Sequence, residues 1–104
     1  MIISFAWTSG AIRDETKIAT RRFWNDEYAR RFPVGSIHQA YDKSPRFGGK
    51  FIRNIRITHL FKQPLGEMTD QDLKEEGPYW KDLNEYIEMM GGPEKVPWVV
   101  KFSY

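Results

Sequence analysis

The chain has 104 residues with 40% hydrophobic, 29% charged and 15% aromatic content, which fits one globular domain spanning residues 1–104 and excludes a disordered chain. Sixteen Lys and Arg stand against fourteen Asp and Glu, for a formal charge of +2, and there is no cysteine. Disulfides, thiol catalysis and cysteine metal sites are therefore excluded. The opening MIISFAW lacks a basic leader and a small-residue cleavage site, and no apolar run approaches the ~18 residues of a membrane helix. The expectation is a cytoplasmic protein with no membrane partner.

The elements follow in chain order. Ile2 to Trp7 predicts a short buried strand, and Thr8 or Ser9 can cap a brief helix through Ile12, weakened by Gly10. Trp24, Tyr28 and Phe32 recur every four residues as one core-facing helical stripe, capped at Asn25 or Asp26 and ended by Pro33 and Gly35. Ser36 to Tyr41 reads as a strand and Asp42 to Gly49 as a loop. Phe51 to Phe61 is the longest strand candidate. Phe51, Ile55, Ile57 and Phe61 share one parity, and the break at Ile52 and Arg53 predicts a bulge. Thr69 and Asp72 predict a capping box for a helix stopping at Gly77 and Pro78. Leu83, Ile87 and Met90 mark another helix, closed by Gly91, Gly92 and Pro93. Trp98 to Tyr104 alternates as a half-buried terminal strand.

Strands do not alternate regularly with helices, so a parallel α/β sheet is disfavoured. The expected class is α+β: a small mixed β-barrel or strongly curled sheet, in which the long strand bends and pairs twice and helices cover the ends. Core positions are expected to include Trp24, Tyr28, Phe32 and Ile57.

Charge is unevenly spread. Residues 1–62 hold twelve Lys/Arg and five Asp/Glu (+7), and residues 63–104 hold four and nine (−5). Either basic strands pair with acidic helices, or the basic half meets an anionic partner. There is no Walker loop, dinucleotide glycine fingerprint or nucleophile elbow. His38 and His59 have no carboxylate at ligand spacing, so no metal site and no cofactor is expected.

The segment Lys17-Ile18-Ala19-Thr20-Arg21-Arg22 stands out, with three cations around a threonine hydroxyl. Lys17 and Thr20 are three apart and would face opposite ways on a regular strand, so the chain must turn between them if they meet. A buried lysine crowded by Arg21 or Arg22 has a lowered pKa and can act as base to a hydroxyl. A solvated basic turn without catalysis is the alternative.

Several pieces together resemble the ASCH domain, a small PUA-like β-barrel family. They are Ile3-Ser4-Phe5, the K-x-x-T-x-R run at Lys17, Thr20 and Arg22, Gly35-Ser36-Ile37, and Glu75-Glu76-Gly77. Two positions depart from the pattern: Glu15 replaces a usual glycine, and Ile18 a frequent threonine. Small single-domain members include amidohydrolases that cleave N(4)-acetylcytidine to cytidine and acetate. The resemblance implies a catalytic set of Lys17, Thr20 and Glu76, with Glu76 preferred over Glu75 because it directly precedes Gly77. Thr20 would be the nucleophile; either Lys17 or Glu76 would be the base. Arg22 would contact substrate or pin Glu76. Trp7 or Tyr79 could stack on a pyrimidine face, with a place in the core as the alternative for each. The substrate partner would be a small nucleoside. The competing reading is a single-stranded RNA-binding module or ribonuclease on the same barrel, with Arg21, Arg22, Arg46, Lys50, Arg53 and Arg56 of the basic half contacting phosphates. Weak RNA binding through that half is also compatible with the enzyme.

Overall fold

In the computed structural model, which describes residues 1–104, the sheet is organised around its longest strand, β4 (Phe51–Lys62). The other strands are β1 (Ile2–Ser4), β2 (Ala19–Arg22), β3 (Ile37–Tyr41) and β5 (Trp98–Ser103). The helices are α1 (Ser9–Arg13), α2 (Asp26–Ala29), α3 (Asp70–Glu76) and α4 (Leu83–Met89). The sheet order is β1-β3-β4-β5-β2, antiparallel except for the parallel β1–β3 pair. As expected for a curled sheet, β4 pairs twice. Its first half, to Arg56, lies along β3 and its second half, from Arg56, along β5.

Two irregularities bend β4. Ile52 is the extra residue between the Ala40–Arg53 and Tyr41–Phe51 pairs, where the broken alternation predicted a bulge. The second falls at Thr58, between Ile57 and His59. Each reverses the face a given parity presents. Ile55 and Ile57 are therefore buried, while Ile52 and Leu60, of the other parity, also pack on the core. Phe51 and Phe61, expected to share the inward face of Ile55 and Ile57, are exposed instead.

The result is a curled half-barrel, an α+β fold whose edges are β1 and β2. Arg22 of β2 crosses between these edges, its Nη2 donating to the Ser4 carbonyl of β1 at 2.8 Å. The main core comprises Ile3, Phe5, Ile12, Phe32, Ala40, Ile55, Ile57, Val100 and Phe102. Trp24 and Tyr28 are half-buried against it, and Trp24 stacks on Phe32 at 4.4 Å. Leu65, Met68 and Tyr86 form a smaller cluster beneath α3 and α4. No helix is long and apolar enough to cross a membrane.

Local chemistry fixes the element ends. Thr69 and Asp72 close the expected capping box on α3, with bonds of 3.1 and 2.9 Å. Asn25 caps α2 and Asp82 caps α4. Thr8 and Ser9 do not cap α1, because their hydroxyls donate back to the carbonyls of Phe5 and Ala6. The first strand is shorter than expected: Ala6 adopts φ 48°, and the chain enters a 3-10 turn over Ala6–Thr8. β2 was not expected as a strand. Its residues pair in register with β5, from Ala19 opposite Lys101 to Arg22 opposite Trp98.

Candidate active site

A cavity of about 260 Å³ opens between the main core and the cluster under α4. Lys17, Thr20 and Glu76, three residues expected to act together, all line it. β2 is an edge strand, which lets side chains from both of its faces border one space. Lys17 and Arg21 share one parity and reach Glu76; Thr20 and Arg22 share the other, and the Arg22 Nε donates to Thr20 Oγ1 at 3.0 Å. Lys17 precedes the first residue of β2, so strict strand alternation does not separate it from Thr20.

Glu76 is the hub. It ends α3, and Gly77, at φ 117°, turns the chain away immediately afterwards. Lys17 Nζ donates to the Glu76 carbonyl at 2.9 Å and to Oε1 at 3.1 Å. Arg21 Nη1 donates to Oε2 at 2.6 Å, and its Nη2 donates to Gln63 Oε1 at 3.0 Å. Lys17 and Glu76 are each only 2% exposed. Glu75 turns the other way, to Lys101 at 3.1 Å, which identifies Glu76 as the carboxylate of the cavity.

Burial pushes the Lys17 pKa below its ordinary 10.5; the Glu76 carboxylate opposes this, and Arg22 and Arg21 add to the lowering. Tyr86 of α4 also lines the cavity, and burial first, then the charge of Glu76, raises its hydroxyl pKa well above the ordinary value. The +7 and −5 halves meet here and nowhere else as ion pairs. Lys17–Glu76 and Arg21–Glu76 join them, whereas Arg53–Glu15, Lys62–Asp26 and Lys101–Glu75 each lie within one half.

The other expected residues divide. Trp7 lies on the rim, 61% exposed, with its ring edge-on to Tyr79 and Trp80 at 5.0 and 5.4 Å. Arg22 lies against the Phe5 ring with its Nε on Thr20; it is Arg21, not Arg22, that pins Glu76. Tyr79 does not line the cavity. Its hydroxyl accepts from the Ala11 amide and donates to the Thr8 carbonyl, supplying α1 with the N-terminal partner that Thr8 withholds. Trp80, Tyr86 and Met90 form the remaining wall and were read only as core or not singled out. Tyr86 falls on the same helical face as Leu83 and Met90, where a hydroxyl has no distinguishing periodicity.

Both departures from the ASCH pattern are explained by the backbone. Glu15 occupies a left-handed conformation, φ 61°, where glycine carries no steric cost. Ile18 is 39% exposed and outside the cavity, its backbone bridging Glu75 and Phe102, so its lost hydroxyl is not missing from the site. A wider recess of about 760 Å³ lies between Gly66, Pro93 and α4, but no buried ionisable side chain lines it.

No family model matches the chain, and no curated protein does. Solved structures do resemble it. The ASCH domain from Lactobacillus crispatus JV V101 superposes with a TM-score of 0.64 at 16% identity, over 98% of this chain and 77% of its own length. Protein EF3133 from Enterococcus faecalis V583, of the DUF984 family, gives 0.66 at 16% identity over 94% of this chain. This chain spans 66% of that protein's length. The fold is ASCH-like, as the sequence motifs implied.

Proposed function

We propose that the protein is an amidohydrolase that cleaves the acyl group from N(4)-acetylcytidine and related N(4)-acylated cytosine nucleosides. The observation that carries this reading is the convergence of Lys17, Thr20 and Glu76 on one cavity. At about 260 Å³ it lies just below the ~300–1,000 Å³ range of ligand pockets, a size that suits one small molecule rather than a polymer. The implied set comes from β2, the connection leading into it and the end of α3, and the chemistry of each member suits the task.

Thr20 Oγ attacks the acyl carbon as neutral Lys17 takes the hydroxyl proton. No hydrogen bond joins Lys17 to Thr20 in the structure, and bonds between such groups tighten once substrate fills the site. Arg22, already on Thr20 Oγ1, stabilises the negative charge that develops on the tetrahedral intermediate. Collapse breaks the carbon–nitrogen bond, the Lys17 ammonium returns its proton to N4, and cytidine leaves. Water then attacks the Thr20 ester, Lys17 takes one proton and passes it to the departing Thr20 oxygen, and the carboxylic acid leaves and loses its remaining proton to solvent as the carboxylate. Glu76 holds Lys17 in place throughout.

Burial supports this reading over a nucleic-acid surface. Of the six cations available to phosphates, Arg21 is buried on Glu76 and Gln63, Arg22 is committed to Ser4 and Thr20, and Arg53 is shared with Glu15. The test is a pair of substitutions. Thr20→Ala is expected to abolish hydrolysis and Thr20→Ser to retain part of it; folded Thr20→Ala protein with wild-type turnover would overturn the assignment.

A further inference from the structure

Three basic side chains and one carboxylate line the cavity: Lys17 and Arg21 both bond to Glu76, while Arg22 bonds to Thr20 and Ser4, an imbalance that a nucleoside without charge does not relieve. Arg21 makes the shortest contact to Glu76, 2.6 Å against 3.1 Å for Lys17, and its guanidinium is fixed on the far side by Gln63. A charged guanidinium does not give up its proton in proteins, whereas an ammonium does so readily when buried. Lys17 directs two hydrogen bonds at Glu76, one to the carbonyl and one to Oε1. A neutral amine has two hydrogens, so these two bonds use both and leave its lone pair free.

We propose that Arg21 is a positioning residue that serves as the permanent counter-ion of Glu76, so that Lys17 is held by hydrogen bonds rather than by ion pairing and stands in the site as a neutral base. The inference deepens the reading above and rests on it for the identity of the base. It also resolves a conflict in that reading, because a lysine alone with a glutamate is held protonated and cannot accept a proton. The charged and titratable groups facing Lys17 are Glu76 from α3, Arg21 and Arg22 from β2, and Tyr86 from α4. Among them Arg21 alone contacts Glu76 as a fixed cation. Without it Lys17 is the only ion-pair partner left to Glu76, and a like charge near Lys17 is lost as well. Both changes favour the ammonium.

The experiment is a titration of the Lys17 Nζ and Cε resonances by NMR in the ligand-free protein, with N(4)-acetylcytidine hydrolysis measured against pH in parallel. Arg21→Met is expected to raise the Lys17 midpoint by at least about 1 pH unit, a tenfold loss of neutral amine at a given pH below it. The acidic limb of kcat/KM should move up with it, so that alkaline pH restores activity, whereas a merely structural defect would lower the rate at every pH. Arg21→Lys keeps a cation and should leave the Lys17 midpoint close to wild type. Gln63→Leu, which only loosens Arg21, should shift it in the same direction by less, and it carries the test if Arg21→Met does not fold. A Lys17 midpoint unmoved by Arg21→Met, or by Gln63→Leu where Arg21→Met is unfolded, would overturn the proposal. The resonance titration needs no turnover, so a Lys17 midpoint that responds to Arg21 in a protein inert toward acylcytidines would refute the substrate and leave the ion pairing standing.

Discussion

Glu76→Gln preserves the size of the hub and removes its charge. In the wild type, Oε1 accepts from Lys17 and Oε2 from Arg21, and all three side chains are buried. An amide removes the counter-charge of Arg21 and replaces one of these oxygens with an NH2 donor, so whichever way it is turned, Lys17 or Arg21 loses an acceptor. Removing one partner of a buried ion pair costs about 3–5 kcal/mol. The lower end applies here, because the backbone carbonyl still accepts from Lys17 and Gln63 still accepts from Arg21. A loss of about 3 kcal/mol is a large share of the ~5–15 kcal/mol typical of a domain. At roughly 4–8 °C per kcal/mol for a domain near this size, Tm should fall by about 12–24 °C. Circular dichroism melts of both proteins at neutral pH, with urea unfolding as a second measure, provide the assay. A Tm within about 4 °C of wild type would show that Glu76 does not balance the charge of Arg21, and the site as described would be wrong.

Other consequences can be checked in the same way. Gly77→Ala places a Cβ 3.0 Å from the Tyr79 ring at φ 117° and should cost about 1–3 kcal/mol in urea unfolding; a neutral effect would contradict the turn that points Glu76 inward. Glu15→Gly, at φ 61°, should hold stability within about 0.5 kcal/mol of wild type or raise it, because relief of left-handed strain offsets the entropy of glycine; a loss above about 1 kcal/mol would refute the strain. The lowered Lys17 pKa also has a defined stability signature. Between its native midpoint and 10.5 the unfolded chain binds more protons at this group, so wild-type stability relative to Lys17→Met should rise with pH, by at most about 1.4 kcal/mol per pH unit. Tyr86 and Tyr104, with raised pKa values, erode the stability of both proteins above about pH 10 and drop out of the difference. A difference that falls with pH over the window would mean that Lys17 is stabilised as a cation.

Local rules account for what could be read from the residues. The Thr69–Asp72 capping box, the Gly77 stop and the bulge at Ile52 each depend on contacts within a few residues or on alternation along one strand, and the structure holds all three. β2 was hidden for the opposite reason. Thr20 and Arg21 are buried among polar partners, so Ala19–Arg22 shows no apolar alternation, and only the need of β5 for a second neighbour could have signalled it. The stripe of Trp24, Tyr28 and Phe32 suggested a helix of two turns; α2 supplies one turn, and ring stacking across its ends does the rest. Lys17, Thr20 and Glu76 were reached through a motif resemblance; Arg21 occupies a free position of the K-x-x-T-x-R run, so nothing in that motif signals its bond to Glu76. Tyr79 illustrates the converse. An aromatic in the right neighbourhood was expected to meet substrate, and its hydroxyl instead completes the start of α1.

The most direct measurement is the ultraviolet change of N(4)-acetylcytidine incubated with purified protein, with cytidine and acetate quantified at the end point. Catalytic conversion to equal amounts of both products by the wild type, and none by folded Thr20→Ala, is the predicted result. Unchanged N(4)-acetylcytidine with the folded wild-type protein across the pH range in which Lys17 is neutral would contradict it.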